Sequence, residues 1–361
     1  MSSVVTVGET MALLDVPASG RVPAGALPLG IGGAESNVAI GLARLGVGCT
    51  WVSRVGDDAL GTFLVREIRA EGVHVLATRD PDAPTGLMLK EHRGGRPSRV
   101  RYYRSGSAAS RLSPADVDAV ADEIGAADVL HLTGITAALG PVPLAAVERA
   151  MEVARAAGTQ VSFDVNHRAT LWSDAEAAPV LARLAAVERA IEVAHTAGTL
   201  VSFDVNHRAT LWSDETAAPV LARLAASADL VFAGPEEAAL VLGRTPGPSS
   251  FDEGELLARE LAKRGPATVV VKLGALGALA LSGDEVHRAP ALSVEVVDPV
   301  GAGDAFVAGY LSEVVAGGSV PDALRRANAC GAAVCRVPGD WEGLPTRVDL
   351  DLLDADGEVV R

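Results

Sequence analysis

Residues 144–183 and 184–223 are nearly one sequence written twice. The two forty-residue units align without gaps and differ only at Met151/Ile191, Arg155/His195, Ala156/Thr196, Gln160/Leu200, Ala175/Glu215 and Glu176/Thr216. The stretch "VSFDVNHRATLWSD" is identical at Val161–Asp174 and Val201–Asp214. Each unit reads as helix, strand, loop, helix. Solenoid repeats diverge in sequence and normally come in three or more copies, so this pair reads as a recent tandem duplication. It constrains the fold because a packed sheet has one place for the original strand. The surplus is expected as an extra βα unit at an edge or as an excursion outside the core. No glycine or proline lies between Val180 and Ala197, which predicts that two helices fuse at the seam. Removing any forty-residue window across the repeat leaves nearly the same chain, so sequence does not locate the excess. We expect the first copy to be native, because it is synthesised first and can pair first with "VLHLTG".

Outside the repeat, strand and helix signals alternate. "VVTVG" (Val4–Gly8), "DVLHLTG" (Asp128–Gly134), "LVFAG" (Leu230–Gly234) and "TVVVKLG" (Thr268–Gly274) are apolar, β-branched runs of buried-strand type. "AESNVAIGLARLG" (Ala34–Gly46) and "DALGTFLVREIRAEG" (Asp58–Gly72) carry apolar residues at helical spacing and end on glycine. This alternation predicts an α/β layer structure with a mainly parallel sheet. Between about 73 and 110 the pattern changes to strand candidates without helices, such as "TGLMLKE" and "RVRYYR". With residues 12–33 they form a small inserted β-sheet, which reads equally as a lid over a site or as an edge decoration.

The chain has 361 residues and a formal net charge of −15. That balance argues against nucleic-acid and anionic-membrane partners, which favour basic faces. It leaves room for an anionic small ligand held by backbone amides. Cys49, Cys330 and Cys335 have neither an even count nor metal spacing, and together with the absence of a basic, apolar leader they suggest a cytoplasmic protein. His74, His92, His131, His167, His195, His207 and His287 show no metal spacing either.

"DPVGAGDAFVAGY" places Gly301, Ala302, Gly303 and Asp304 where a helix begins. Free N–H groups and the helix dipole favour an anion there, and glycines let it approach the backbone. Asp304 is suited to accept a proton from an attacking hydroxyl; it reads equally as an acid placed at a helix start.

"GGAESNVA", "SRVGDDALG", "DVNHR", "GPEEA" and "DPVGAGDAFVAGY" occur in this order and resemble the ribokinase-like sugar kinases. "YYRSGSAAS", "HLTGITAAL", "DVNHRATLW" and "GDWEGLP" are similar to the 2-keto-3-deoxygluconate kinase branch of that family. The likeness covers nearly the whole chain except one forty-residue unit. It implies a single ribokinase-like domain over 1–361: a three-layer α/β fold with a mainly parallel central sheet, a small β-sheet lid and a tandem duplication. It also implies ATP-dependent phosphorylation of a sugar-acid hydroxyl, that of 2-keto-3-deoxygluconate first, with magnesium arriving with the nucleotide. Asp304 would then be the general base and Gly301–Gly303 the anion hole. Gly33, Ala34, Asn37, Tyr102, Arg104 and Arg168 or Arg208 would bind the acceptor. Lys272, Gly274 and Gly277 would approach the nucleotide. Glu237 and Glu236 would assist the metal, through water. Two departures stand out: Gly234 replaces a usual polar residue, and Met88 stands where close relatives have tyrosine. Without the resemblance, Asn37 reads as a polar helix-start residue, Lys272 as part of a plain hairpin, Arg104 as a surface residue, and the glutamates as a charged first helical turn. A neutral-sugar or nucleoside kinase, and a sugar-binding protein disabled by the duplication, remain alternatives. Homo-oligomerisation is left open.

Overall fold

The computed structural model describes residues 3–17, 19, 25–93, 96–166, 201–207, 213–339 and 341–354. Arg168, Arg208 and the expected fused helix over 180–197 lie outside the described residues. Fourteen strands are described, in chain order. β1 (Ser3–Val7), β2 (Met11–Asp15), β3 (Leu29–Gly32), β4 (Gly48–Gly56) and β5 (His74–Asp80) come first. β6 (Leu87–Arg93), β7 (Arg96–Tyr103), β8 (Val129–Thr133), β9 (Gln160–Asp164) and β10 (Val201–Asp204) follow. β11 (Leu230–Ala233), β12 (Thr268–Lys272), β13 (Gly277–Ser282) and β14 (Glu285–Pro290) complete the series.

The main sheet has ten strands in the order β14-β13-β12-β11-β10-β9-β8-β1-β4-β5. It is parallel from β5 to β12 and antiparallel through β13 and β14. One face packs against the helices Pro141–Ala157, Asp214–Ser227, Pro235–Leu242 and Phe251–Ala262. The other lies under Ala34–Arg44, Ala59–Ala70, Ala302–Val315 and Val320–Val334. The expected three-layer α/β architecture is therefore the one observed.

The duplicated strand departs from expectation. Both copies lie in the interior of the main sheet, side by side, with Val161 opposite Val201 and Asp164 opposite Asp204. The first copy does pair with β8, as expected, and the second with β11. The surplus strand is thus neither at an edge nor outside the core. Each copy finds a parallel partner on both sides, β9 between β8 and β10 and β10 between β9 and β11, so strand order across this part of the sheet follows chain order. Identical sequence also keeps the side chains in phase. Val161, Phe163, Val201 and Phe203 all enter one core, while Ser162, Asp164, Ser202 and Asp204 alternate with them and face the opposite side.

The second sheet has four strands in the order β3-β2-β6-β7. Met11, Leu13 and Met88 form its own small core, with Val100 and Tyr102 packed against them. The expected lid range of 73–110 was too generous at its start, because β5 pairs in register with β4 and belongs to the main sheet.

Candidate active site

The turn before the helix Ala302–Val315 divides two cavities. Gly301 caps that helix with φ of +79°, a left-handed conformation that favours glycine. Asp304 lies in the first helical turn, and the Asn37 side-chain amide donates to its Oδ2 at 3.4 Å. Asp298 shapes the approach: its Oδ1 accepts from Val300 N at 3.1 Å and its Oδ2 from Lys90 Nζ at 3.0 Å. Lys90 sits on β6 and is 3% exposed, Asp298 is 2% exposed, and so this ion pair ties the small sheet to the turn out of reach of solvent.

The first cavity, of about 370 Å³, is lined by Gly33, Ala34, Asn37, Tyr102, Arg104, Gly301, Gly303 and Asp304, which sequence reasoning singled out. Met88 lines it as well. Arg104 is buried and its Nε donates to Glu9 Oε2 at 2.6 Å, while Ser107 Oγ donates to Glu9 Oε1 at 2.6 Å. The guanidinium carbon stands 5.8 Å from the Tyr102 ring centroid. The side-chain oxygen of Asn37 is buried and has no hydrogen-bond partner among the described residues. Such an atom at a cavity wall is available to a ligand hydroxyl.

The second cavity, of about 550 Å³, is lined by Lys272, Gly274, Gly277, Ala302 and Gly303, together with apolar side chains such as Leu292, Val296 and Phe306. Among the described residues only Pro299 and Gly303 line both cavities. Lys272 Nζ donates to both oxygens of Asp204, at 2.7 and 2.8 Å. Burial works against its charge, but the carboxylates of Asp204 and Glu237 hold its pKa above the ordinary lysine range. Glu237 accepts from Gly234 N at 2.5 Å and from His207 N at 2.8 Å. Its pKa is raised, chiefly by burial and then by Asp204. Glu236 is exposed. Among the described residues no group of three or more histidine, cysteine, aspartate or glutamate side chains could hold a metal by itself.

Sequence reasoning missed Glu9, Lys90, Asp298, Asn166 and Asn206. Both asparagines line the first cavity and have positive φ, +37° and +36°. Asn166 N donates to Asp164 Oδ1 at 2.8 Å, and the side-chain amides of Asn166 and Asn206 both donate to Asp164 Oδ2 at 3.2 Å. The "DVN" triplet was the available signal, since asparagine tolerates left-handed backbone better than most residues.

The model for the pfkB family carbohydrate kinases matches residues 1–187 and again 175–347. The chain belongs to the pfkB family of carbohydrate kinases. The two matches overlap inside the duplication, as expected of a carbohydrate kinase carrying one unit too many. A 2-dehydro-3-deoxygluconokinase from Bacillus subtilis (strain 168) is 36% identical over 352 residues, covering 96% of this chain and 93% of the relative. A protein of the same description from Thermoproteus tenax is 35% identical, covering 96% and 92%. Among solved structures, a PfkB protein from Polaromonas sp. JS666 is 33% identical, with a TM-score of 0.71 over 97% of this chain and 99% of that one. This kinase has no helix among its described residues long and apolar enough to cross a membrane.

Proposed function

We propose that this carbohydrate kinase transfers the γ-phosphoryl group of ATP to a hydroxyl of 2-keto-3-deoxygluconate, giving 2-keto-3-deoxy-6-phosphogluconate and ADP. The observation that carries the reading is Asp304 at the helix start between the two cavities, with buried Arg104 in the first. The acceptor hydroxyl attacks the γ-phosphorus, its proton passes to the Asp304 carboxylate, and the bond to the β-phosphate oxygen breaks. Phosphoryl transfer needs mainly positioning and charge neutralisation. The N-terminal turn of the helix beyond Gly301 offers amides and a favourable dipole to the group in transit. The second cavity suits ATP, with an apolar wall for the base and the Lys272 ammonium for phosphates. A magnesium ion fits the acidic groups beside Lys272 only as a companion of the nucleotide, with Glu237 acting through water; it would neutralise phosphate charge. Arg104 uses one edge for Glu9 and has further N–H donors for the acceptor carboxylate.

A neutral sugar is the second reading, and a specific observation favours it. Arg104 is already paired with Glu9 and Lys90 with Asp298, so the described wall of the first cavity has no surplus positive charge. A coupled assay of ADP release over sugars and sugar acids separates the two. The sugar-acid reading expects the highest kcat/KM with 2-keto-3-deoxygluconate. A higher value with fructose or ribose overturns it, and binding without turnover of any acceptor points to the disabled sugar-binding protein.

A further inference from the structure

Two copies of the identical stretch that begins "VSFDVNH" lie in one sheet, in different surroundings. β9 and β10 pair residue for residue, so Asp164 and Asp204 project from the same face in the same phase. β9 borders β8, on the half that carries the first cavity, and β10 borders β11, on the half that carries the second. The partners of the two carboxylates follow this division. Asp204 takes the Lys272 ammonium on both oxygens. Three residues further, His207 N donates to Glu237. Asp164 is held by amides, those of Asn166 and Asn206, and among the described residues it forms no ion pair. Asn206 belongs to the second copy, yet its side chain turns to the carboxylate of the first.

We propose that the duplicated strand has divided one task between its copies: Asp204 positions Lys272 for the nucleotide, and Asp164 positions the amides of Asn166 and Asn206 for the sugar acceptor. The proposal rests on the kinase reading above. Both are positioning residues, because neither carboxylate is among the described residues that line these two cavities, whereas Lys272 lines the second and the two asparagines the first. The electrostatics agree with the geometry. Asp204 helps to keep Lys272 charged in spite of burial. Asp164, with no ion pair among the described residues, has its pKa pushed up, first by burial and then by Asp204 and Asp304, against a smaller lowering by Lys272. In a sheet with a single such strand, one carboxylate would have to face both neighbours. Here the second strand widens the sheet by about 4.8 Å, the ordinary strand spacing, and gives each half its own acid.

The test compares Asp164→Asn and Asp204→Asn in the full chain. Nucleotide Kd is measured by calorimetry with a non-hydrolysable ATP analogue, and acceptor KM by steady-state kinetics. Asp204→Asn is expected to weaken nucleotide binding about tenfold or more and to change acceptor KM less than about twofold, the scale of losing a charge-assisted contact on one side. Asp164→Asn is expected to raise acceptor KM about three- to tenfold with nucleotide Kd nearly unchanged, since neutral amide contacts are weaker. In the Lys272→Met background, Asp204→Asn should add little further loss of nucleotide, while Asp164→Asn should act independently. Equal nucleotide losses from the two copies, or the reverse assignment, overturn the proposal. If Asp204→Asn does not fold, Asp204→Glu keeps the charge while displacing it. That variant should shift nucleotide Kd and spare acceptor KM; the opposite pattern again overturns the division. A wild-type chain that binds no nucleotide and phosphorylates no sugar refutes the kinase reading. One that does both but responds equally through either copy refutes only the division.

Discussion

The two cavities on either side of Gly303 differ in where their polar groups lie. The proposed acceptor cavity mixes Glu9, Lys90, Arg104, Asp304 and three asparagines with apolar side chains such as Met11, Leu13, Met88 and Ile135. Among the described residues, the proposed nucleotide cavity has one charged side chain, Lys272, in an otherwise mostly apolar wall. The difference follows from the ligands such walls can hold. A sugar presents hydroxyls on every side, and each needs a matched donor or acceptor once water is excluded. A nucleotide base presents a flat apolar face and concentrates its charge at the phosphate end. The first cavity therefore demands placed polar groups drawn from far apart in the chain, while the second needs mainly shape and one cation.

Substitutions that respect this boundary sharpen the comparison, and those that cross it break it. The largest effect belongs to the turn that the cavities share. Asp304→Asn should lower kcat by about 10²–10⁴-fold, the usual contribution of a positioned general base, with both KM values nearly unchanged. Turnover within a few-fold of wild type would remove Asp304 from the chemistry. Next comes Arg104→Ala, which also leaves Glu9 buried without its cation. Acceptor KM should rise by about tenfold or more for a sugar acid, consistent with the loss of charge-assisted hydrogen bonds, and KM for ATP should hold. An equal rise in both would show that the cavities are not independent. On the other side, Val296 is exposed at the nucleotide cavity wall. Val296→Asp should raise KM for ATP about three- to tenfold, roughly 1 kcal/mol, and leave the acceptor alone.

The smallest kinetic effect lies outside both cavities. Arg54 Nε donates to the buried Asp80 carboxylate at 2.8 Å and, by that bond first, holds its pKa below the usual carboxylate value. A depressed pKa means that the pair stabilises the fold fully above the unfolded value of about 4 and ceases to do so as pH falls through the lower folded value. Thermal melts should show wild type losing this contribution below about pH 4. Arg54→Gln should lower Tm at pH 7 by about 2–5 °C, flatten the acid decline, and leave both KM values unchanged. A change in either KM would show that this ion pair reaches a cavity after all.

The same contrast explains what could be read from the chain. Gly301, Gly303 and Asp304 lie in a short local motif at a helix start that chemistry alone brought forward, while Lys272, Gly274 and Gly277, beside a strand end, came forward through the family resemblance. The partners of the acceptor cavity do not advertise themselves. Glu9 and Arg104 are 95 residues apart and Lys90 and Asp298 are 208 apart. No period or spacing connects such pairs; only the docking of the small sheet does. The α/β class was legible because Val4–Gly8, Asp128–Gly134 and Thr268–Gly274 alternate with helical stretches. The position of the duplicated strand was not. Its Val-x-Phe face suits an interior slot as well as an edge, and the choice depends on pairing of backbone groups that carry no sequence signature.

The ion pair between Lys90 and Asp298 bears on timing. Because both charges are shut away from solvent, raising the small sheet from the turn has to hydrate them together, and a half-open state with one of them stranded is costly. If the small sheet moves as a lid, this pair favours two positions, shut or fully raised. Salt would then act on the raised position, where the parted charges are screened, and hardly on the shut one. Turnover that waits on release of the phosphorylated sugar would then follow a clock set by a single buried lysine.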